Sequence, residues 1–392
     1  MSGEVKRLRS AYDVVVVGGG PAGLACARSV ADENSDLSVL LVESAQYPRD
    51  KVCGDGFTTR ALQLMAQIFP ECVDWATSAP KLSRCAFVYP NGVELSAKLS
   101  LRVLPRRDVD ERLRRTLVGR RCEVLERAQV TRVLRDGERV VGVEVQPKTG
   151  APAQVRASLV IGADGSRSRV RRDTGSLGGD SMKVGVRQYV RGISPEHTVA
   201  TAFMDLDGHG YFWFFPFFRD NECWANMGWW QFGGRRMNPR RRLLFWLENR
   251  RIRGLLAGGS TVGDVRGCPI NVARIRGLGR LGLARRPWGP GYLLVGDASG
   301  LAHPLTGGGI ELALFSGRCA GSLVAKGLPM ADLGTAYERE SLRFARSAYG
   351  LLTSQLMLSM PSRLSPGLST IYLNILKSFL DRSGHLGKVL DS

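Results

Sequence analysis

The sequence predicts an α/β protein in which a discontinuous, mainly parallel sheet domain is interrupted by a mixed or antiparallel β-sheet domain and followed by a helical C-terminus. Three observations predict this arrangement. A β-branched strand, a glycine-rich turn and a helix stand near the start of the chain. A second strand, glycine-rich turn and helix stand near residue 300, and the segment between the two units changes to short aromatic and β-branched stretches. Strands alternating with helices favour a parallel sheet, and short strands between turn residues favour an antiparallel one.

The composition excludes several classes of protein. At about 150 residues per domain, 392 residues predict two to three domains, and 44% hydrophobic with 23% charged residues is ordinary globular usage. A disordered, collagen-like or coiled-coil chain is therefore excluded. The formal net charge is +19, with arginine supplying most of the cations. Such a surface suits phosphates or anionic lipid heads, or it reflects genome composition alone.

The cysteines and the hydropathy pattern indicate the compartment. None of the eight cysteines forms a CxxC pair, which favours reduced thiols in a cytosolic protein. The first residues lack an apolar segment of the secretory type. The uncharged residues 347–362 include serines and a proline, and fall short of the ~20 apolar residues that a spanning helix needs. We expect a cytoplasmic protein, soluble or peripheral to a membrane, and a monomer or weak homo-oligomer.

The first glycine-rich turn has the pattern of a dinucleotide site. Residues 12–17 predict a buried strand, residues 24–31 a helix and residues 37–42 a second strand. In Rossmann-type units the three glycines allow a tight turn, a close approach to pyrophosphate and close helix packing, while the acid at the end of the second strand binds ribose. A turn with only a packing role is the alternative. The residues concerned are Gly18, Gly20, Pro21, Ala22, Gly23 and Glu43.

The second glycine-rich turn favours FAD over NAD. An aspartate at the end of the strand 293–295 can bind a ribityl hydroxyl, and the N-terminus of the helix 310–326 can face the flavin edge where negative charge collects on reduction. NAD has no ribityl chain. A glycine-rich loop without a ligand is again the alternative. The candidate residues are Gly296, Asp297, His303, Pro304, Gly307, Gly308 and Gly309.

Three further motifs resemble the flavoprotein hydroxylase superfamily and, within it, the geranylgeranyl reductase family. Residues 159–166 (LVIGADGS) resemble a second dinucleotide fingerprint, which implies that Asp164 and Gly165 lie near the FAD pyrophosphate. Residues 48–56 (PRDKVCGDG) resemble the segment beside the isoalloxazine ring, which implies flavin contacts for Cys53 and Gly54. The CGDG form is similar to that of menaquinone reductases. Residues 210–216 (GYFWFFP), followed by Asn226-Met227-Gly228, resemble the stretch that lines the family's substrate cavity.

The resemblance also implies individual roles. It assigns flavin contact to an arginine at a helix start, Arg107 or its neighbour Arg106. Cys53 is a candidate catalytic residue that orients substrate or assists its protonation, or else a small apolar spacer. His303 is a candidate proton donor, or a structural hydrogen-bonding residue. The candidate cavity residues are Tyr211, Trp213 and Pro216, in a segment whose other aromatic residues pack in the core.

The domain boundaries follow from these assignments. Residues 1–80, 100–175 and 285–330 are assigned to the FAD-binding domain, residues 81–99 and 176–284 to the substrate domain, and residues 331–392 to a helical C-terminal region. Apolar residues spaced three and four apart between Leu368 and Leu380 predict an amphipathic helix. The remaining histidines form no pattern with cysteines or carboxylates, so we expect no metal.

The resemblance implies a non-covalent FAD enzyme that reduces carbon–carbon double bonds of an isoprenoid by hydride transfer from flavin N5. NAD(P)H or a ferredoxin-like protein would supply the electrons. The alternative is a monooxygenase that hydroxylates or epoxidises a lipophilic or natural-product substrate through a flavin hydroperoxide. The halogenase W-x-W-x-I-P signature is absent, and a non-catalytic scaffold is disfavoured by the intact FAD motifs. The arginine runs at 235–236, 240–242 and 250–253 predict solvated faces or contact with anionic lipid, and no motif indicates nucleic acid.

Overall fold

The structure, a computed structural model, describes residues 8–90, 92–176, 182–205, 209–232, 237–276, 280–282, 286–304 and 306–349. The strands in chain order are β1 (Ala11–Val17), β2 (Val39–Val42), β3 (Gly56–Thr58), β4 (Lys81–Val88), β5 (Glu94–Val103), β6 (Cys122–Leu125), β7 (Ala128–Asp136), β8 (Arg139–Pro147), β9 (Ala153–Gly162), β10 (Met182–Arg191), β11 (Ala200–Met204), β12 (Gly210–Arg219), β13 (Glu222–Gln231), β14 (Ser260–Asn271), β15 (Arg274–Arg276), β16 (Arg280–Gly282), β17 (Trp288–Gly289) and β18 (Tyr292–Leu294). The α-helices are α1 (Pro21–Glu33), α2 (Thr59–Ile68), α3 (Val73–Ser78), α4 (Arg106–Arg115), α5 (Arg169–Asp173), α6 (Pro239–Leu247), α7 (Arg250–Leu255), α8 (Ile310–Ala325) and α9 (Met330–Tyr349).

The first sheet brings strands from the first 162 residues together with two strands near residue 290. Its strand order is β17-β18-β9-β1-β2-β6, and β8 and β7 continue from β9 as an antiparallel hairpin. β1 is parallel to β2 and β9, and β18 is parallel to β9. Residues of β1 and β9 that pair, such as Val14 and Leu159, are 145 positions apart, and those of β9 and β18, such as Val160 and Tyr292, are 132 apart. The valines of β1 are buried on both faces, as expected for a central parallel strand. The predicted discontinuous parallel sheet is confirmed.

The second sheet has the order β14-β10-β13-β12-β11-β4-β5-β3. Its pairs are antiparallel except for β4 with β11, which run parallel and make the sheet mixed, as predicted. Successive side chains of a strand point to opposite faces. The face that carries Phe212 and Phe214 packs against α6 and α7, and the face that carries Tyr211 and Trp213 is turned toward the first sheet.

Helices α1 and α8 pack closely against each other on the first sheet. Two glycines on α8 make the close approach: a Cβ added at Gly317 would overlap the carbonyl of Ala22, and one at Gly321 would stand 2.6 Å from the carbonyl oxygen of Cys26. These contacts make the two helices run parallel, with the first turn of α1 beside the part of α8 near Gly317, so that both helices begin on the same side of the sheet.

Some predicted elements differ from those observed. β7, which the sequence analysis did not predict, pairs with β8, and β3 joins the second sheet although it lies within residues 1–80. The domain boundaries remain predictions. α9 provides the first part of the predicted helical C-terminus, and the predicted amphipathic helix from Leu368 to Leu380 lies outside the described residues. No helix within the described ranges is long and apolar enough to cross a bilayer.

The close packing of α1 on α8 generates a stability prediction. Gly317→Ala should lower the free energy of unfolding by about 1–3 kcal/mol, because the new methyl group overlaps backbone that cannot move independently. Gly254→Ala, in α7, is the matched control: a Cβ there meets nothing within 4 Å, so stability should be unchanged or slightly raised. Urea titration of both variants measures the difference, and equal effects would contradict the proposed role of Gly317.

Candidate active site

A large cavity of about 860 Å³ lies between the two sheets. The first sheet contributes the turn before α1 and the turn before α8. The second sheet contributes one face of β12 together with residues of β4, β5, β11 and β14, and the segment 49–56 closes the space between them. The turns at 18–23 and 296–309, predicted to meet at one cofactor, therefore do border the same cavity.

The turn before α1 has the geometry of an anion site. Gly18 has φ 102°, and a Cβ there would stand 2.5 Å from the carbonyl oxygen of Ala163. Gly20 is the N-cap of α1 and offers no side chain, so the first backbone N–H groups of the helix remain for a ligand in the cavity. Glu43 holds the turn through its Oε2, which accepts from Gly19 N at 3.0 Å. Oε1 of Glu43 accepts from Ala45 N at 2.9 Å.

The turn before α8 forms the other half of the cradle. Gly307, Gly308 and Gly309 line the cavity, and the N-cap Gly309 makes no side-chain cap. Asp297 also lines it, with Oδ2 accepting from Ser166 Oγ at 3.1 Å. Burial raises the pKa of Asp297. This turn thus adds a second helix N-terminus and a carboxylate to the lining of the cavity.

Several predicted cofactor residues fall at or behind this lining. Pro21, Ala22, Asp164 and Gly165 line the cavity, and Oδ1 of Asp164 is buried without a hydrogen-bond partner in the structure. Gly23, Gly296 and Pro304 are not part of the lining. A Cβ at Gly23 would overlap the carbonyl of Gly18, so this glycine serves packing. Gly296 donates its N–H to Ser316 Oγ at 2.9 Å.

Arg106, and not Arg107, lies at the cavity. Both begin α4, whose buried face carries residues 106, 109, 110 and 113, so helical periodicity turns Arg107 to solvent. The guanidinium of Arg106 forms a two-pronged bond with Asp110, Nε to Oδ1 at 2.8 Å and Nη2 to Oδ2 at 2.7 Å. Asp110 also accepts from Arg49 at 2.8 Å. Of the two arginines that the resemblance offered, Arg106 lines the cavity and Arg107 does not, so the prediction of a flavin contact now falls on Arg106 and no longer on Arg107.

Cys53 and Gly54 belong to the segment that closes the cavity between the two sheets. Both line the cavity, and a Cβ on Gly54 would stand 3.3 Å from the ring of Phe215, so the segment packs directly on β12. Burial raises the pKa of Cys53 to about 11, despite an opposing effect of Arg106. Cys53 is therefore a thiol, not a thiolate, at neutral pH.

Asp55 is the buried anchor of this segment and was not predicted. It is fully buried at φ 59°, and its Oδ2 accepts from Asn226 Nδ2 at 2.8 Å and from the Tyr189 hydroxyl. Its Oδ1 has no hydrogen-bond partner among the residues that the structure describes. Asn226 also donates to the carbonyl of Cys53 at 2.9 Å and accepts from Trp213 Nε1 at 2.9 Å. Burial raises the pKa of Asp55 to about 7. The CGDG and NMG motifs contain both residues, but only the fold joins them.

His303 lines the cavity as a neutral imidazole. Burial lowers its pKa to about 4, and its Nδ1 accepts from the backbone N–H of Thr306 at 3.1 Å. The backbone N–H of His303 donates to the carbonyl of Gly308 at 2.8 Å. The residue therefore shapes the turn before α8.

The apolar part of the cavity lies on one face of β12. Tyr211, Trp213 and Phe215 line it, whereas Pro216 is buried on the opposite face because strand side chains alternate. The prediction of Pro216 as a cavity residue was wrong, and Phe215 takes that place. The Tyr211 hydroxyl donates to the carbonyl of Thr306 at 2.7 Å, which joins β12 to the second turn. No sequence pattern pointed to the other apolar lining residues, Cys85, Phe87, Leu101, Ala202, Met204, Trp230, Phe232 and Ile270.

In the described part of the chain, no group of three or more His, Cys, Asp or Glu side chains could hold a metal ion. The residues that line the cavity do fit FAD. Two uncapped helix N-termini suit a pyrophosphate and a flavin edge, and Oδ1 of Asp164 and the Asp297 carboxylate can accept hydrogen bonds from hydroxyl groups. Residues 11–204 match the FAD binding domain family. The fold and the site together define an FAD-dependent oxidoreductase.

Similar proteins of known structure or sequence identify the family of FAD-dependent oxidoreductases to which the chain belongs. Two solved structures share the fold, each with a TM-score of 0.71 and 21% identity. One is the myxobacterial chondrochloren halogenase, whose match covers 90% of this chain and 84% of that chain. The other is a geranylgeranyl bacteriochlorophyll reductase-like protein of Thermoplasma acidophilum, whose match covers 97% of this chain and 99% of that chain. Digeranylgeranylglycerophospholipid reductase 2 of Methanopyrus kandleri is 33% identical over 382 residues, 95% of this chain and 91% of that protein. The chain belongs to the geranylgeranyl reductase family.

The two neighbouring arginines of α4 provide a matched test of FAD binding. Arg106→Ala should weaken FAD binding at least tenfold, because it removes a cation beside Gly20 and leaves buried Asp110 with one partner fewer. Arg107→Ala should bind FAD like the wild type, since this side chain is exposed. Titration of apoprotein with FAD, followed by flavin fluorescence, measures both affinities. Equal losses would contradict the assignment.

The buried carboxyl of Asp55 predicts a pH-dependent stability. Its folded-state pKa of about 7 lies above the ordinary 3.8, so the wild type loses stability as pH rises toward and through 7. Asp55→Asn carries no such cost, so its free energy of unfolding relative to wild type should rise by on the order of 1–3 kcal/mol between pH 5 and pH 8. Asp264→Asn, on exposed β14, is the control. A difference that does not change with pH would contradict the prediction.

Proposed function

We propose that this protein reduces carbon–carbon double bonds of an isoprenoid lipid, with FAD as the hydride carrier. The observation that carries the proposal is the continuity of the cavity: the two cofactor turns open directly onto the apolar face of β12 and its neighbours. A chain of isoprene units offers no polar group along most of its length, and an apolar wall binds such a chain by excluding water. The resemblance of the whole chain to a named prenyl-lipid reductase supports the same substrate class.

The reaction requires a hydride for one carbon of the double bond and a proton for the other. Bound FAD, once reduced, would supply the hydride. We propose that Cys53 helps supply the proton: its thiol is protonated at neutral pH and lies on the cavity wall. The Asp55 network holds it there, because Asn226 binds both the Cys53 carbonyl and the Asp55 carboxylate. The aromatic residues Trp213 and Phe215 pack against the adjacent Gly54 and would exclude water from the reacting carbons.

For His303 we propose a positioning role. A neutral imidazole whose Nδ1 already accepts a backbone N–H is a poor acid near pH 7. Its contribution is to hold Thr306 and Gly308 so that the N-terminus of α8 faces the cofactor. The thiol of Cys53 is therefore the stronger candidate for proton donation.

The electron donor is also part of the proposal. Either a nicotinamide that binds transiently at the flavin face or an acidic ferredoxin-like protein would suit the basic chain. Anaerobic mixing of the holoprotein with NADPH, NADH or reduced ferredoxin distinguishes them. Bleaching of the flavin absorbance by one donor at a rate at least tenfold above the others identifies it.

The function is tested by single turnover without oxygen. Holoprotein reduced with dithionite is mixed with a detergent-dispersed geranylgeranyl lipid, and mass spectrometry follows the gain of two mass units per double bond. Flavin reoxidation coupled to a saturated product supports the proposal. Reaction only in air, with oxygen added to the product, or no reaction with any prenyl lipid, would contradict it.

Cys53→Ala should lower the single-turnover rate at least tenfold while FAD binding stays within twofold, because the variant loses the thiol proton but keeps the backbone bonds of the segment. Cys122→Ala is the matched control, since Cys122 lies on β6 and does not line the cavity. Rapid-quench measurement on both variants gives the rates. An unchanged rate for Cys53→Ala would remove the thiol from the mechanism.

A further inference from the structure

The solvent face of α6 carries an unusual combination of side chains. Arg240, Arg241, Leu244 and Phe245 are all exposed, Leu244 by 50% and Phe245 by 52%. They stand at i, i+1, i+4 and i+5, so each arginine lies one turn before an apolar side chain on the same face. The guanidinium of Arg242 lies 5.0 Å from the Phe245 ring centroid. We call Arg240, Arg241, Leu244 and Phe245 the α6 patch.

The remaining face of α6 explains why this patch cannot turn inward. Leu243 and Trp246 are buried against Phe203 and Phe212 of the second sheet. Trp246 Nε1 also donates to the buried carboxylate of Asp205 at 2.7 Å. The helix is thus fixed in rotation, and Leu244 and Phe245 have to face away from the protein.

The charges around the patch are mainly positive and in part unpaired. Neither Arg240 nor Arg241 forms a salt bridge with any residue that the structure describes. In α7, Arg251 is paired with Glu94 at 2.5 Å and Arg253 is paired with Glu248, while Arg250 is exposed at the start of the helix. Guanidinium groups without a salt bridge can bind anionic lipid phosphates, and exposed aromatic and aliphatic side chains can enter the apolar layer just beneath them. The α6 patch is therefore complementary to the headgroup layer of a phospholipid membrane.

The patch lies at the end of the sheet where the apolar cavity continues. β13 ends at Gln231, and Met204 ends β11 at the same edge, since Met204 pairs with Tyr211 and Gly210 with Gln231. Met204 and Phe232 line the cavity there. α6 begins a few residues after Phe232, and Arg251 of α7 binds Glu94 at the start of β5, which is again this edge. The α6 patch therefore shares this end of the second sheet with the apolar part of the cavity but lies on the opposite face, since α6 packs on the face that carries Phe212 and Phe214.

We propose that the α6 patch docks the protein on membranes that contain anionic phospholipid. Leu244 and Phe245 enter the headgroup layer, and Arg240 and Arg241 bind lipid phosphates. Membrane docking does not itself depend on the proposed function. Only its purpose, which is to bring the protein to its lipid substrate, rests on that function. Binding to vesicles needs no turnover, so it can be tested independently.

The test is sedimentation of the FAD-loaded full chain with vesicles of phosphatidylcholine alone or with 30% (about one lipid in three) phosphatidylglycerol, at about 0.15 M salt. Wild type should partition at least tenfold more strongly onto the anionic vesicles. Leu244→Ser/Phe245→Ser and Arg240→Gln/Arg241→Gln should each lower that partition coefficient roughly tenfold or more.

Two matched variants control for general hydrophobicity and charge. Val118→Ser/Leu328→Ser removes two exposed apolar side chains elsewhere, and Arg139→Gln/Arg156→Gln removes two exposed charges from the first sheet. Both should bind vesicles within twofold of wild type. FAD content and the midpoint of urea unfolding verify that every variant is folded, without reliance on turnover.

The outcomes separate this proposal from the proposed function. Absence of wild-type binding to anionic vesicles overturns the docking proposal, and so does equal loss of binding in the α6 and control variants, which would indicate diffuse charge attraction. Unchanged binding by both α6 variants overturns it as well, since another surface would then be responsible. Specific loss in the α6 variants supports docking even if no prenyl lipid is reduced.

Discussion

The contact between α1 and α8 is the constraint on which the site depends. Helices that approach so closely need glycine at the contact, and Gly317 and Gly321 provide it against the backbone of Ala22 and Cys26. The consequence is geometric: the N-termini of two helices that begin almost 290 residues apart open onto one cavity. Two uncapped helix starts would be unfavourable in isolation, and a ligand with a negative pyrophosphate and an anionic reduced ring satisfies both.

The segment from Asp50 to Gly56 joins the cofactor turns to the second sheet. Its buried carboxylate, Asp55, is held by Tyr189 and Asn226, and a second carboxylate, Asp50, binds Arg187. Burying a carboxylate costs free energy unless hydrogen bonds replace water, and here one oxygen atom has none. The arrangement keeps Cys53 on the cavity wall at the expense of stability near neutral pH. A strained, partly unsatisfied group at such a place is typical of a functional site.

The cavity is polar at one end and apolar at the other, and this division follows from the two sheets. The first sheet supplies the turns, carboxylates and arginines, and the second supplies aromatic side chains on alternate positions of β12. A cofactor with charged and aromatic parts matches the first end, and an isoprenoid chain matches the second. The other face of the second sheet is covered by α6, whose outer surface has the chemistry of a membrane contact.

The sequence by itself determined the α/β class, the broken parallel sheet, the two cofactor turns and the family, because glycine spacing and β-branched runs act locally. It also indicated Cys53, Trp213 and Asp297 as site residues. Only the tertiary structure showed that Arg106, and not Arg107, lines the cavity. It also showed that Phe215 faces the cavity while Pro216 lies on the other face of its strand. The hydrogen bonds of Asp55 with Tyr189 and Asn226 likewise appear only in the folded protein. The physical reason is that the phase of a helix or strand depends on which face the rest of the molecule buries. A hydrogen bond between residues more than 130 positions apart leaves no local pattern in the chain.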